Sequence, residues 1–232
     1  MDTRTLVTCE HGGHEVPVRL QTRFEGAEAV LRSHRGWDPG ALPLAERLAV
    51  LAATPLRFAT VTRLVVDLNR SPGHPRLFSE FTRFLDANER ERLLARYHRP
   101  YRDEVDGLVA GWLDEGCRVV HLGVHTFTPI LDGVVRDADI GLLYDPVRPR
   151  ERALADAWVR GLRSRLPDLA IRRNQPYRGR SDGLTTWLRR RGAGYLGIEI
   201  EVNQRLLDGA GRFPDRVVDA LLRTYPAAPL PV

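Results

Sequence analysis

Four places in this 232-residue chain put polar side chains where an apolar, strand-like run gives out. His11 follows Thr5-Leu6-Val7-Thr8-Cys9, and Asn69-Arg70 follow Thr60 to Leu68. His125 closes Arg118 to Val124, and Glu201 lies near the end of Tyr195 to Val202. Two histidines from separate strand ends plus a carboxylate are a common way to build a catalytic zinc centre, with three protein ligands and one open position. Such an ion brings the pKa of a bound water toward neutrality, and a nearby carboxylate can take the proton. Asn69-Arg70 sets a neutral donor beside a guanidinium fork, a pairing suited to a substrate carboxylate. Together these residues describe hydrolysis of an acyl bond in a small anionic molecule.

Each residue also has a plainer reading. A lone histidine ending a buried strand is often a hydrogen-bonded core residue, and Arg70 could be a surface ion pair or a helix cap. Asp38, in Trp37-Asp38-Pro39-Gly40, has the usual sequence of a turn or N-cap aspartate. Glu199 and Glu201 share one strand face, because strand side chains repeat every two residues, so either could be the base. Glu201 lies nearer the strand's end. The coincidence at several strand ends favours chemistry.

The elements that must carry these residues alternate between strand and helix. Strands are expected at Thr5–Cys9, Thr60–Leu68, Arg118–Val124, Asp139–Tyr144, Leu169–Ile171 and Tyr195–Val202, and helices at Leu42–Ala53, Asn88–Glu115, Arg150–Arg165, Leu184–Arg191 and Asp215–Tyr225. Pro100 would break or kink the second helix. Gly12-Gly13 permits a tight turn after the first strand, and 174–183 reads as a loop. The tail from Pro226 to Val232 holds three prolines and reads as irregular. The alternation predicts an α/β fold, three layers α/β/α with a mostly parallel or mixed sheet. Ligands collect outside the carboxyl ends of strands in such sheets. No repeat or linker divides the chain, so 1–232 reads as one domain.

A hydrophobic fraction of 43% is that of an ordinary globular protein. No apolar run approaches a membrane span and no signal-peptide pattern opens the chain, so the expected location is cytoplasmic. Cys9 and Cys117 read as buried free thiols. The net charge is +5 and the sequence contains no lysine, so every basic side chain other than histidine is arginine. The arginines are scattered over helical segments, which fits a solvated surface better than a nucleic-acid footprint. The lack of lysine excludes Schiff-base chemistry and a phosphate-loop lysine.

Six motifs in order carry a resemblance: Cys9-Glu10-His11-Gly12-Gly13, Trp37-Asp38-Pro39-Gly40-Ala41, Arg63 to Arg70, Val124-His125-Thr126-Phe127-Thr128-Pro129, Asn174-Gln175-Pro176-Tyr177 and Ile200-Glu201-Val202. In this order and spacing the chain resembles the N-formylglutamate amidohydrolase family, which is similar in fold to zinc carboxypeptidases and aspartoacylases. The resemblance implies a divalent metal, zinc by ligand type, on His11, Asp38 and His125, with Glu201 as general base and later acid. It implies that Asn69 and Arg70 bind a free carboxylate of a small-molecule or peptide substrate, and that Tyr177 and Arg178 face it from a closing loop. Arg63 would polarise the scissile carbonyl, although an extended strand would hold it about 20 Å from Arg70. The chain departs from the pattern in two places. His11-Gly12-Gly13-His14 replaces the relatives' His-x-x-Glu, so His14 competes with Asp38 as ligand, and Asp38 is favoured. Glu201-Val202-Asn203 replaces Glu-x-Arg, which removes an arginine suited to an anionic side chain. Two rivals remain: a peptidase-like hydrolase acting on a modified peptide or its terminus, and an arginine-rich binding module without metal.

Overall fold

A computed structural model describes residues 2–226; positions 227–232 of the proline-bearing tail lie outside the described residues. In chain order the elements are β1 (Thr3–Cys9), α1 (Glu28–Arg32), α2 (Ala41–Leu51), β2 (Leu56–Phe58), α3 (Ala87–Leu93), α4 (Arg99–Asp114), β3 (Arg118–Phe127), β4 (Ile130–Leu131), β5 (Val134–Val135), β6 (Ile140–Leu143), α5 (Pro149–Arg165), β7 (Ile171–Arg173), α6 (Leu184–Leu188), β8 (Tyr195–Asn203) and α7 (Asp215–Thr224). Six strands form one sheet in the order β2-β1-β3-β8-β6-β7. β2, β1, β3 and β8 run parallel, whereas β6 is antiparallel to β8 and carries β7 parallel to itself. The sheet is therefore mixed.

Both faces of the sheet are covered, which is why β3 and β8 read as nearly unbroken apolar runs. All but the first residue of β3 are buried. One core packs α2, α5 and α7 against the sheet through Leu44, Leu48, Trp158, Leu162, Val217 and Leu221. The other packs α4, α6 and the irregular chain around Leu64 to Leu68 against the opposite face. This gives the expected three layers. Among the described residues no helix is long and apolar enough to cross a membrane.

One local expectation is corrected. The strand expected over Thr60–Leu68 does not form: β2 is only three residues long, and the chain beyond it is irregular. Its backbone pairs with neighbouring loops instead, Thr62 N–H with the Glu15 carbonyl and Arg63 N–H with the Gly36 carbonyl. The Thr62 hydroxyl donates to the Gly36 carbonyl at 2.8 Å and accepts from the Leu64 N–H, so a β-branched residue drives a turn here rather than a ladder. The helix expected over Asn88–Glu115 is instead two α-helices, α3 and α4, joined through a π turn at Leu94–His98, with Pro100 in the first turn of α4, where a missing N–H is tolerated.

The topology creates the place for a site. From β1 the chain passes to β2 on one side, then crosses to β3 on the other, so the carboxyl ends of β1 and β3 diverge at a switch point, where open α/β sheets leave a crevice. The register sets His125 opposite Glu201 on adjacent strands. The far wall depends on close backbone approach: a Cβ at Gly141 in β6 would press into the Gln175 carbonyl oxygen, a backbone atom that cannot move freely. Gly141→Ala is expected to cost about 2 kcal/mol or more, read as a lowered denaturant midpoint.

Candidate active site

His11 lies two residues past β1, in the turn Glu10 to Gly13, and His125 is the eighth residue of β3. Asp38 belongs to the turn before α2, where its N–H is bonded to the His11 carbonyl at 2.9 Å. The Thr126 hydroxyl reaches the Pro39 carbonyl at 2.8 Å and ties the same turn to the end of β3. The Asp38 side chain does not cap α2, as a turn aspartate would; its Oδ2 lies 2.9 Å from His125 Nδ1 and 3.4 Å from His11 Nδ1. One ligand atom from each of His11, Asp38 and His125 falls within 4.8 Å of the others, all three buried. His14 is exposed and packs on the Trp37 ring at 5.0 Å, away from this group.

The distal nitrogens of both histidines meet carboxylates. His11 Nε2 is 2.7 Å from Asp67 Oδ1, and His125 Nε2 is 3.1 Å from Glu10 Oε2, the latter a charge contact without ideal hydrogen-bond alignment. Both Nδ1 atoms are thereby turned toward Asp38, and that of His11 is buried without a hydrogen-bond partner. Histidines that hold a metal commonly donate their other ring N–H to a carboxylate. The buried, unpartnered Nδ1 and the N, O, N donor set fit a divalent ion such as zinc.

Arg63 corrects the distance that an extended strand implied. Because 59–70 is irregular, its guanidinium reaches Asp38 and forms an ion pair, while its Nε is buried without a partner. Asn69 and Arg70 line the same cleft. Asn69 Oδ1 accepts from the Leu184 N–H at 2.6 Å, and Arg70 donates to the Asp182 carbonyl. The Arg70 carbonyl oxygen is held at 2.7 Å by His98 Nε2, on the π turn, and at 3.0 Å by Arg102 Nη1. The 174–183 loop forms the facing wall through Tyr177, Arg178, Ser181 and Asp182, and the Tyr177 hydroxyl accepts from Arg136 Nη1 at 2.8 Å. The cleft has a volume of about 680 Å³ and Glu199, Glu201, His34, Arg35 and Arg76 also border it.

Charge is sharply divided within this cleft. Burial opposes ionisation of Asp38 and Asp67, yet the Arg63 guanidinium beside Asp38, and His11 and Arg63 beside Asp67, hold both far below the usual carboxylate range. Burial also disfavours a charged His125, but the adjacent carboxylates of Asp38 and Glu10 push it well above the ordinary histidine range. Glu201 goes the other way: burial, with Asp38 and Glu199 nearby, raises it to about 8. Its Oε2 is buried without a partner. Glu199, on the same face, instead accepts from the Thr185 hydroxyl at 2.9 Å. His34, which also lines the cleft, is depressed by burial and then by Arg63, Arg136 and Arg35.

The sequence motifs missed the second set of residues. Glu10 and Asp67 stand inside the ordered motifs without a role, and only their contacts to His125 and His11 mark them. Arg136 and His98 carried no signal at all. Asn203 takes no part in the cleft: its amide donates to the Ala138 carbonyl at 2.9 Å and its Oδ1 accepts from the Arg205 N–H.

The fold and this crevice define a three-layer α/β protein in which two parallel strand ends and the turn before α2 bring a His–Asp–His group beside a buried carboxyl. The chain belongs to the N-formylglutamate amidohydrolase family, whose model matches residues 3–207, so the resemblance carried by its motifs is borne out and the chain is an amide-bond hydrolase by family. It is similar to a gene product of Agrobacterium tumefaciens, Atu2144, with 30% identity, a TM-score of 0.80, and coverage of 95% of this chain and 87% of that one. It shares its fold with N-formylglutamate amidohydrolase from Ralstonia eutropha JMP134, at 21% identity and a TM-score of 0.68, covering 97% of this chain and 90% of that one. No curated protein matches the sequence.

The raised Glu201 pKa makes a linkage prediction for the metal-free protein. A carboxyl raised from 4.5 to about 8 contributes stability that is present below about pH 4.5 and lost as pH climbs to about 8. Glu201→Gln lacks this loss. Its stability relative to wild type, measured by urea denaturation with a chelator present, should grow between those pH values by up to about 1.4 kcal/mol per unit, then level off.

Proposed function

We propose that this amidohydrolase is metal-dependent and cleaves an N-formyl, N-acyl or other amide bond in a small, carboxylate-bearing, amino-acid-like substrate. The observation that carries the reading is the buried His11–Asp38–His125 group, with its unpartnered His11 Nδ1, beside the unpartnered carboxyl of Glu201. A divalent ion held by those three residues, zinc by donor type, would supply Lewis acidity that makes a water nucleophilic near neutral pH.

The remaining work falls to the chain's own side chains. Glu201, raised to about 8, is poised near working pH, where a group best both takes a proton and returns it. It removes a proton from the attacking water and delivers it to the leaving amine nitrogen. Arg63 can turn its unpaired buried Nε–H toward the carbonyl oxygen as negative charge develops there. Arg70, and the Asn69 amide whose oxygen is already engaged by Leu184, fix the substrate carboxylate. The carbonyl clamp from His98 and Arg102 supports that placement. Tyr177 and Arg178 contact the substrate from the loop side. Since Asn203 does not border the cleft, any second anionic group meets Arg35, Arg76 or Arg178 instead.

Metal analysis of the purified protein, followed by a screen of N-acyl amino acids and short peptides, tests the proposal. The expected outcome is stoichiometric zinc, with both metal content and amide hydrolysis abolished in His125→Ala. A zinc-free protein that no divalent ion activates overturns it, and peptide cleavage without N-acyl amino acid cleavage shifts the substrate class. Arg70→Gln should raise KM about 100-fold or more while changing kcat less, because a charge-assisted pair is lost from ground and transition state alike. An equal fall in kcat would place Arg70 in the chemical step.

A further inference from the structure

We propose that Glu10 is a positioning residue that locks the His125 imidazole with Nδ1 toward Asp38 and His11, and so sets the affinity of this site for a divalent ion. The inference rests on the metal-dependent reading above.

Glu10 is 2% exposed and occupies the turn between β1 and His11. A carboxylate so deeply buried is costly unless paired and hydrogen-bonded. Among the described residues its single ion-pairing partner is His125, whose Nε2 lies 3.1 Å from Glu10 Oε2. No arginine stands within ion-pair distance, although arginines serve that purpose for Asp38, Glu151 and Asp139 elsewhere in the molecule. A charge kept for folding alone would be better matched by a guanidinium, or replaced by an apolar side chain. Here the chain commits a buried carboxylate to one nitrogen of a histidine whose other nitrogen faces two further metal-ligating groups.

The carboxylate is itself held from the other side. Tyr101, reaching in from α4, places its hydroxyl 3.0 Å from Glu10 Oε1 and 3.2 Å from the Arg57 carbonyl oxygen. Neighbouring Thr8 is engaged through its hydroxyl by His121 Nε2 at 2.8 Å, and His121 Nδ1 is bonded to the Tyr195 hydroxyl at 2.6 Å. The segment carrying Glu10 is therefore braced by groups from β3, β8 and α4. With Glu10 in place, the His125 ring is held with Nε2 toward Glu10 and Nδ1 toward Asp38 and His11. Without it, two ring orientations and two tautomers open, and a ligand atom is no longer prepared in advance. Loss of such an outer partner typically weakens metal binding by about 10–100-fold.

The experiment measures zinc affinity by chelator competition for wild type, Glu10→Gln, Glu10→Ala and Tyr101→Phe, with Tm of each metal-free form. Gln can still present its carbonyl oxygen to Nε2–H, so a loss of about 10-fold is expected for it and about 100-fold for Ala, with Tyr101→Phe smaller than either. A merely structural ion pair would lower the metal-free Tm and leave the zinc Kd within twofold of wild type in both Glu10 variants, and that result overturns the inference. If Glu10→Ala does not fold, the shape-conserving Gln variant decides by the same threshold. A wild-type chain that takes up no zinc removes the metal reading itself, and this inference with it.

Discussion

The buried carboxylate of Asp38 is the constraint on which the rest of the crevice depends. One oxygen lies among two buried imidazole nitrogens and the other is paired with the half-buried Arg63. An unpaired carboxylate there would be untenable, so the three segments that supply these partners must meet: the end of β1, the end of β3 and the irregular chain before Asn69. The sheet order makes this possible, because the switch point leaves room between β1 and β3 for the turn that carries Asp38. The bonds from Asp38 N–H to His11 and from Thr126 to Pro39 then fix the turn to both strands.

Around that carboxylate the protein keeps acids in opposite states. Glu10 is held at about 2 by His125 and Thr8 against the opposing cost of burial, while Glu201 is lifted to about 8 by burial near Asp38 and Glu199. Carboxyls in one cleft are thus pushed apart by their surroundings: those beside histidine or arginine stay charged, and the one without a partner is driven toward its neutral form. The arginines follow the same logic. Arg63 and Arg70 lie beside Asp38 and Asp67, and Arg35, Arg76 and Arg178 also line the cleft. Family membership and these polarised charges belong to one picture, an amide hydrolase built on strand ends.

Much of the fold was readable from patterns of burial. β3 and β8 were legible because strands buried on both faces are unbroken apolar runs, and α2 and α5 because their apolar residues recur at helical spacing. The same rule misled at Thr60–Leu68. Its β-branched residues are buried as a strand's would be, but they are buried in a loop whose hydrogen bonds go to Gly36 and Glu15 rather than to a neighbouring strand. Periodicity reports burial and is silent on which backbone partner satisfies the N–H groups. The π turn before Pro100 was hidden for a related reason: the apolar spacing continues through it, and only the backbone shows how the proline is accommodated.

By itself, then, the sequence determined the residue types at the strand ends, the alternation that makes a three-layer α/β fold, and the ordered motifs of the family. It could do so because these depend on local patterns along the chain. The tertiary structure alone decided that Asp38 rather than His14 stands between the two histidines, that Arg63 reaches the site, and that Glu10 and Asp67 back the imidazoles. Those are contacts between segments far apart in the chain, set by strand order and by the need to pair each buried charge, and no spacing in the sequence encodes them.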